Sequence, residues 1–307
     1  MMSKPIIKAS KLFKRYKDLI AVDGIDFAIN QGETFGFLGP NGAGKTTTMK
    51  MIYCFILPDS GLLEVDGLDV IKYPRQVKNV LGVVHQEDSL DPDLNVKENL
   101  ITYARYFDIP AKVSGPRADE LIEMMSLTEK RDTIIEELSG GMKRRLMIIR
   151  GLINNPKILI LDEPTTGLDP QARHLVWQKL KALKKSGITI ILTTHYMDEA
   201  AQLCDQLVMM HQGKIIAGGT PSSMVDQYIG KEVIELVEPD EKLIAQLPVI
   251  INNSGYYEQA GEDINIYTND AELILSGLAR FKPKDLVKRP ANLEDVFLKL
   301  SGRALVE

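Results

Sequence analysis

Two continuous apolar runs, Lys157-Ile-Leu-Ile-Leu161 and Ile188-Thr-Ile-Ile-Leu192, dominate the hydropathy pattern of the middle of the chain. They have strand length, no polar alternation and helical text between them, which is the pattern of parallel strands buried on both faces. Upstream, residues 6–38 break into short strand-like segments, with Val22, Ile25, Phe27 and Ile29 apolar and turn signals at Asp23-Gly24 and Asn30-Gln-Gly32. That stretch predicts an antiparallel β edge. From about residue 87 to 155 the spacing becomes helical, with Leu100, Tyr103, Ala104 and Phe107 on one face behind Asn95-Val-Lys-Glu98, which has the form of a capping box. A helical insert is expected there.

Small and turn-forming residues cluster at Ala217-Gly-Gly-Thr-Pro-Ser-Ser223, and beyond Gly230 strand and helix signals start afresh. We place a first domain at 1–224 and a second at 230–307. The tail predicts strands at Val233-Ile-Glu-Leu-Val237 and Asp263-Ile-Asn-Ile-Tyr267 and helices over about 270–280 and 292–301, a small α+β domain. No internal repeat or low-complexity segment is visible. A length of 307 residues agrees with two domains at roughly 150 residues each.

Acidic residues number 42 against 37 basic, a net charge of -5, so no global field favours a polyanion and nucleic acid is not an expected partner. The cysteines, Cys54 and Cys204, form no C-x-x-C pair and read as small core residues. The opening residues Met1-Met-Ser-Lys-Pro-Ile-Ile have no apolar leader, and no stretch reaches the roughly 18 apolar residues of a membrane span. The expectation is a cytoplasmic chain that would need a separate integral protein for any work at a membrane.

The chemistry is concentrated in a few motifs. Gly39-Pro-Asn-Gly-Ala-Gly-Lys-Thr46 follows the strand-like Glu33-Thr-Phe-Gly-Phe-Leu38 and opens a helix, the context in which a P-loop wraps backbone N–H groups around phosphates. Lys45 would reach the β- and γ-phosphates, and the Thr46 hydroxyl a Mg²⁺ ion. The run at 158–161 ends in Asp162-Glu163, one carboxylate for the cation and one for an attacking water, unless the acids merely end a strand. Leu138-Ser-Gly-Gly-Met142 opens a basic helix and offers bare N–H groups to a second anion. The run Lys143-Arg-Arg145 itself reads as a solvated helix end. His85, His174 and His211 lack metal-ligand spacing and are taken as surface or packing residues.

With Gly39 to Thr46, Asp162-Glu-Pro164, Gly167-Leu-Asp169, Gln86 and Thr194-His195 in this order and spacing, the chain closely resembles the ATP-binding cassette (ABC) ATPase family. The resemblance implies an α/β P-loop NTPase with a mixed sheet, the antiparallel edge and the helical insert, followed by the small α+β domain. It further implies ATP and Mg²⁺ as cofactors. ATP would be bound by Gly39, Asn41, Gly42, Gly44, Lys45, Thr46 and Thr47, with Tyr16 stacking on adenine, although an aromatic at that point is also a common core residue. Mg²⁺ would be held by Thr46, Gln86 and Asp162, and hydrolysis carried by Glu163, the switch histidine His195 and Gln86. In that family two cassettes pair head to tail, so Ser139, Gly140, Gly141 and Asp169 would close over the nucleotide of a second copy.

Finer likenesses lie in Ala21-Val-Asp-Gly-Ile-Asp26, Leu138-Ser-Gly-Gly-Met-Lys-Arg-Arg-Leu146, Pro164-Thr-Thr-Gly-Leu-Asp-Pro170, Thr194-His-Tyr-Met-Asp-Glu-Ala200 and the closing Ala291-Asn-Leu-Glu-Asp-Val-Phe-Leu-Lys-Leu-Ser-Gly-Arg303. These resemble ABC-2-type exporters, in particular nodulation-factor export and daunorubicin-type drug-resistance ATPases. An integral-membrane permease, a working homodimer and a place on the inner face of the cell membrane are what that resemblance implies. Met142 departs from the general pattern, which has Gln there; the backbone donors and Ser139 are kept. The alternative is a soluble ABC ATPase that remodels or scaffolds a complex without transport.

Overall fold

The computed structural model describes residues 4–281 and 283–301, and by compactness the chain divides between Gly218 and Gly219. Residues Gly302 and Arg303 of the closing motif lie outside the described residues.

In the first unit a six-stranded sheet runs in the order Lys214–Gly219, Gln206–His211, Thr34–Leu38, Thr189–Thr194, Ile158–Asp162, Leu81–Val84. The pairs from Gln206–His211 through to Leu81–Val84 are parallel, with Leu38 opposite Thr194 and Asp162 opposite Thr193. The outer pair is joined at Gln212-Gly213, both at positive φ (48° and 78°), the geometry of a two-residue hairpin turn. The two apolar runs are thus neighbours, and Ile158, Leu159, Ile160, Leu161, Ile191 and Leu192 are fully buried because both sheet faces are covered.

On one face lies the antiparallel sheet Leu19–Ile29, Ile7–Tyr16, Ser60–Val65, Leu68–Asp69, together with the helix Lys45–Ile52; of residues 6–38, expected as one antiparallel edge, Thr34–Leu38 instead pairs in parallel in the middle of the six-stranded sheet. Phe27, Phe35 and Phe37 pack edge to face between the layers, with Phe37 centred 5.1 Å from Phe27 and 5.2 Å from Phe35. On the other face Leu180 of the helix Pro170–Lys185 and Leu203 of the helix Met197–Leu203 meet Ile190 and Leu192. The helical insert supplies Val96–Arg105 and Ala111–Met124, and the former starts with the anticipated capping box of Asn95 and Glu98. The helix Gly140–Arg150 follows, with Ser139 as its N-cap. Among the described residues no helix is long and apolar enough to cross a membrane.

The second unit contains β-α-β-β-α-β: Glu232–Val237, Glu241–Ile251, Gly255–Ala260, Asp263–Thr268, Ala271–Leu278, Asp285–Pro290. Its antiparallel sheet places the second strand at one edge, then the third, the first and the fourth, the ferredoxin-like order. Ile234, Leu236, Ile264 and Ile266 pack against Leu243, Leu247, Ile274 and Leu278 of the two helices. The helices Pro221–Tyr228 and Leu293–Ser301 pack on each other beside this core. Leu247 is fully buried, so Leu247→Ala removes its packing and leaves a cavity, a cost of about 2–5 kcal/mol. Scanning calorimetry of the full chain should then show a transition for this unit lowered by roughly 10 °C or more, at about 4–8 °C per kcal/mol for a small unit.

Candidate functional site

Parallel α/β sheets expose ligand sites at the carboxyl ends of their strands, and here that edge gathers Leu38, Val84, Asp162 and Thr194, each leading into a predicted motif. After Leu38 the loop Gly39 to Gly44 turns into the helix Lys45–Ile52, so its N–H groups and the helix N-terminus face the same space. Only glycine fits at position 44: its φ is 103° and an added Cβ would meet the Ala21 carbonyl at 2.3 Å.

Lys45 is 5% exposed and folds its ammonium onto the loop, donating to the Gly39 and Pro40 carbonyls at 2.6 and 3.0 Å. Burial lowers its pKa, while the nearby Glu163 and Asp162 carboxylates pull it back up. Those loop carbonyls hold the cation where anionic phosphate oxygens would replace them.

Asp162 and Glu163 stand at the end of the fully buried strand Ile158–Asp162, both 7% exposed. The Thr46 hydroxyl donates to Asp162 Oδ1 at 3.3 Å, and the Thr193 hydroxyl donates to the same oxygen. Thr46 and Asp162 therefore converge as hard oxygen donors, a pair that suits Mg²⁺, which takes its other ligands from phosphate and water. Gln86, the third predicted metal ligand, turns its side-chain amide to Glu163 instead, donating to Oε2 at 3.1 Å.

The same Glu163 oxygen accepts from the Thr166 hydroxyl at 3.0 Å. His195 Nδ1 lies 3.3 Å from Glu163 Oε1, at ion-pair distance but without the alignment of a hydrogen bond. Glu163 itself has φ 48°, a left-handed backbone that L side chains seldom adopt, and its N–H donates to the Thr193 hydroxyl at 3.0 Å and carbonyl at 3.2 Å. The three residues predicted to carry hydrolysis are thus one cluster on the P-loop edge of the sheet.

Four of the remaining predicted residues, Ser139, Gly140, Gly141 and Asp169, line with Gly167 a separate, open cleft of about 620 Å³. Ser139 accepts from the Met142 N–H and Asp169 accepts from the Ala172 N–H, each capping its helix. Tyr16 ends the strand Ile7–Tyr16, is 43% exposed and has the Lys14 ammonium 5.5 Å from its ring centre, so it is no core residue. Asn41 and Gly42 are exposed and Thr47 is half-buried on the loop and first helical turn.

The basic run 143–145 is not a solvated helix end. Arg144 is 5% exposed, and Arg145 donates to the Met125 and Ser126 carbonyls at 2.7 and 3.1 Å. Both side chains end on carbonyls of other segments, which take the place of water. His85 and His174 are packing residues, edge to face with Tyr53 and Trp177 at 5.6 and 5.1 Å. Thr193 and Thr166 were not anticipated, and neither was Glu199. The last is fully buried and accepts from the Thr165 hydroxyl at 2.7 Å and the Trp177 indole at 3.1 Å. The only sequence signal for Thr193 is its place just before Thr194-His195 at a strand end.

Comparison with known proteins shows the family and the fold. Residues 22–166 match the ABC transporter family model, and residues 252–302 match the model of the nodulation factor export protein NodI C-terminal domain. The chain is 45% identical over 305 residues to the Nod factor export ATP-binding protein I of Burkholderia thailandensis, covering 99% of each. It is 43% identical to the protein of the same name from Mesorhizobium japonicum, over 96% of this chain and 86% of the other. Among solved structures, cbiO1 from Clostridium perfringens, part of the ABC transporter complex cbiONQ, superposes with a TM-score of 0.68 at 28% identity, covering 82% of this chain and 97% of that one. A dimeric ATP-binding cassette in a post-hydrolysis state with ADP and Pi gives 0.64 at 26% identity, covering 70% and 98%.

Proposed function

This chain belongs to the ABC transporter family and is an ATP-binding, ATP-hydrolysing subunit, and from that premise we propose that it powers an ABC-2-type exporter through a separate membrane permease. The observation that carries the reading is the cluster in which Glu163 is held by Gln86 and Thr166 and faced by His195 beside the P-loop.

In this reading the loop amides and Lys45 bind the phosphates of ATP, and Tyr16 covers the adenine. Thr46 and Asp162 hold Mg²⁺, with Gln86 swinging toward it from Glu163; when bound, the cation neutralises phosphate charge that builds up as the γ-phosphoryl group departs. Glu163 accepts a proton from the attacking water, and His195 keeps the carboxylate and the γ-phosphate in register. Ser139, Gly140 and Gly141, with Asp169, lie in an open cleft, which suits donors meant for ATP held on a second copy. ATP binding would close two such chains head to tail, and hydrolysis would reopen them.

Gln86 would pass closure outward, because its neighbour His85 lines a cleft rimmed by Phe55 and Tyr106, which are 69% and 80% exposed. Exposed aromatics in such a cleft suit an apolar partner segment. Such a partner would place the chain on the inner face of the cell membrane, as the export named in its relatives implies. No predicted site residue lies beyond Gly219, and we assign that unit, including 230–307, an accessory role.

The test is to tag the Glu163→Gln chain, trap it with ATP in native membranes and identify what copurifies. A multi-span protein retained with ATP and lost without it, or after Tyr106→Glu, is the expected result. Soluble partners alone would favour the remodelling ATPase.

A further inference from the structure

Arg144 uses every donor it has on the backbone of the catalytic segments. Its Nε donates to the Pro164 carbonyl at 2.7 Å, Nη2 to the Asp162 and Glu163 carbonyls at 2.8 Å each, and Nη1 to the His85 and Gln86 carbonyls at 2.6 and 3.4 Å. A guanidinium has five N–H groups, and five carbonyls take them. These carbonyls belong to two chain segments 77 positions apart, whose side chains meet where Gln86 donates to Glu163.

Three of the five flank or include Glu163, whose left-handed φ of 48° persists only if its surroundings dictate it. The guanidinium faces Asp162, Glu163 and Glu199 as charged neighbours; burial pulls its pKa down to about 10 while those carboxylates raise it, so it stays charged at neutral pH. Arg144 sits on the same helix as the N-cap Ser139, four residues beyond Gly140 and so one turn into Gly140–Arg150.

We propose that Arg144 is a positioning residue that holds Glu163 and Gln86 as one body and makes their placement follow the helix Gly140–Arg150. It touches no nucleotide and acts through the carbonyls it binds. This inference rests on the head-to-tail pairing proposed above. There, the start of this helix meets ATP on the second copy, so occupancy at one site orients the base at the other. The link runs through one helix, whose start is capped by Ser139 and whose Arg144 is fixed on five carbonyls of the catalytic segments, and it makes the two ATP sites cooperative.

Arg144→Lys keeps the charge and the stem but has three donors on one atom, which cannot span five carbonyls. Arg144→Gln drops the charge as well. Steady-state ATPase rates of the full chain are measured against ATP concentration, beside the affinity for a fluorescent trinitrophenyl ATP analogue. The expected result is a kcat lowered by about 10²-fold in Arg144→Lys, the scale of a base misplaced by an ångström, and lowered further in Arg144→Gln. Analogue affinity stays at the wild-type value in both, and the Hill coefficient falls to about 1.

A wild-type kcat in Arg144→Lys overturns the proposal. So does loss of analogue affinity in both variants, which would make Arg144 a support of the fold rather than of the base. A lowered kcat with the wild-type Hill coefficient overturns the link between sites. A wild-type chain without ATPase activity would bring down the proposed function itself, whereas an active wild type matched by Arg144→Lys brings down this inference alone.

Discussion

Glu163→Gln lowers ATP turnover by about 10²- to 10⁴-fold and leaves ATP binding in place, the loss expected when a positioned general base is removed. Gln has nearly the shape of Glu, so the left-handed backbone at φ 48° and its bonds to Thr193 are kept. What changes is the chemistry of one group. The carboxylate now accepts from Gln86 and Thr166 on Oε2 and faces His195 with Oε1. A neutral amide still occupies that frame but has no charge with which to take a proton from water. Lys45, Thr46 and Asp162 are untouched, so the phosphates keep their partners. Single-turnover phosphate release and equilibrium nucleotide binding, measured on the same sample, separate the two effects. Turnover comparable to wild type would remove Glu163 from its role as base.

Lys45→Ala has the opposite signature, with ATP affinity lost by at least about 10²-fold and hydrolysis lost with it. The Lys45 ammonium is held by two loop carbonyls at 2.6 and 3.0 Å in a site from which water is largely excluded. Phosphate oxygens replacing those carbonyls would make charge-assisted hydrogen bonds worth roughly 1.5–3 kcal/mol each, and two of them correspond to about two to four powers of ten in affinity. Ala leaves the Gly39 and Pro40 carbonyls pointing at the phosphates with no cation between. Titration with the fluorescent analogue reads the loss, and a melting curve checks that the loop's own folding is retained. Tight binding by Lys45→Ala would mean that the amide cradle alone holds the nucleotide.

The parts of the fold that were legible in the sequence are those where one physical signal dominates. Ile158 to Leu161 and Ile188 to Leu192 have the length and unbroken apolar character of strands covered on both faces, and the structure pairs them in parallel, Leu159 opposite Ile190. The capping box at Asn95 and Glu98 placed the start of a helix to the residue. The second unit was harder to read, because its two edge strands carry weak patterns. Gly255–Ala260 and Asp285–Pro290 are mixed in polarity, as edge strands often are, and the second ends in a proline. The helix Glu241–Ile251 was missed because Pro248 lies inside it, where proline ordinarily argues against a helix.

At the site, residue types and spacing singled out the P-loop, Gln86, Asp162, Glu163 and His195, but not Thr193, Thr166 or Arg144, which also bond Asp162 and Glu163. Thr193 and Thr166 look like any threonines in a strand end and a loop. Arg144 was misread because a run of Lys and Arg signals a solvated face unless carbonyls from distant segments converge on it. Which carbonyls converge is decided by the order of the strands, and that order is not written locally.

The central claim is that ATP is shared between two copies, held by the P-loop of one and closed by Ser139 to Gly141 of the other. Its most direct test is the solution mass of the Glu163→Gln chain by light scattering, with ATP, with ADP, and with ATP after a further Ser139→Arg change. The expected result is twice the chain mass with ATP, and a single chain both with ADP and in the Ser139→Arg variant, whose own P-loop still binds nucleotide. A single chain that has bound ATP, or a dimer indifferent to both nucleotide and Ser139→Arg, would contradict it.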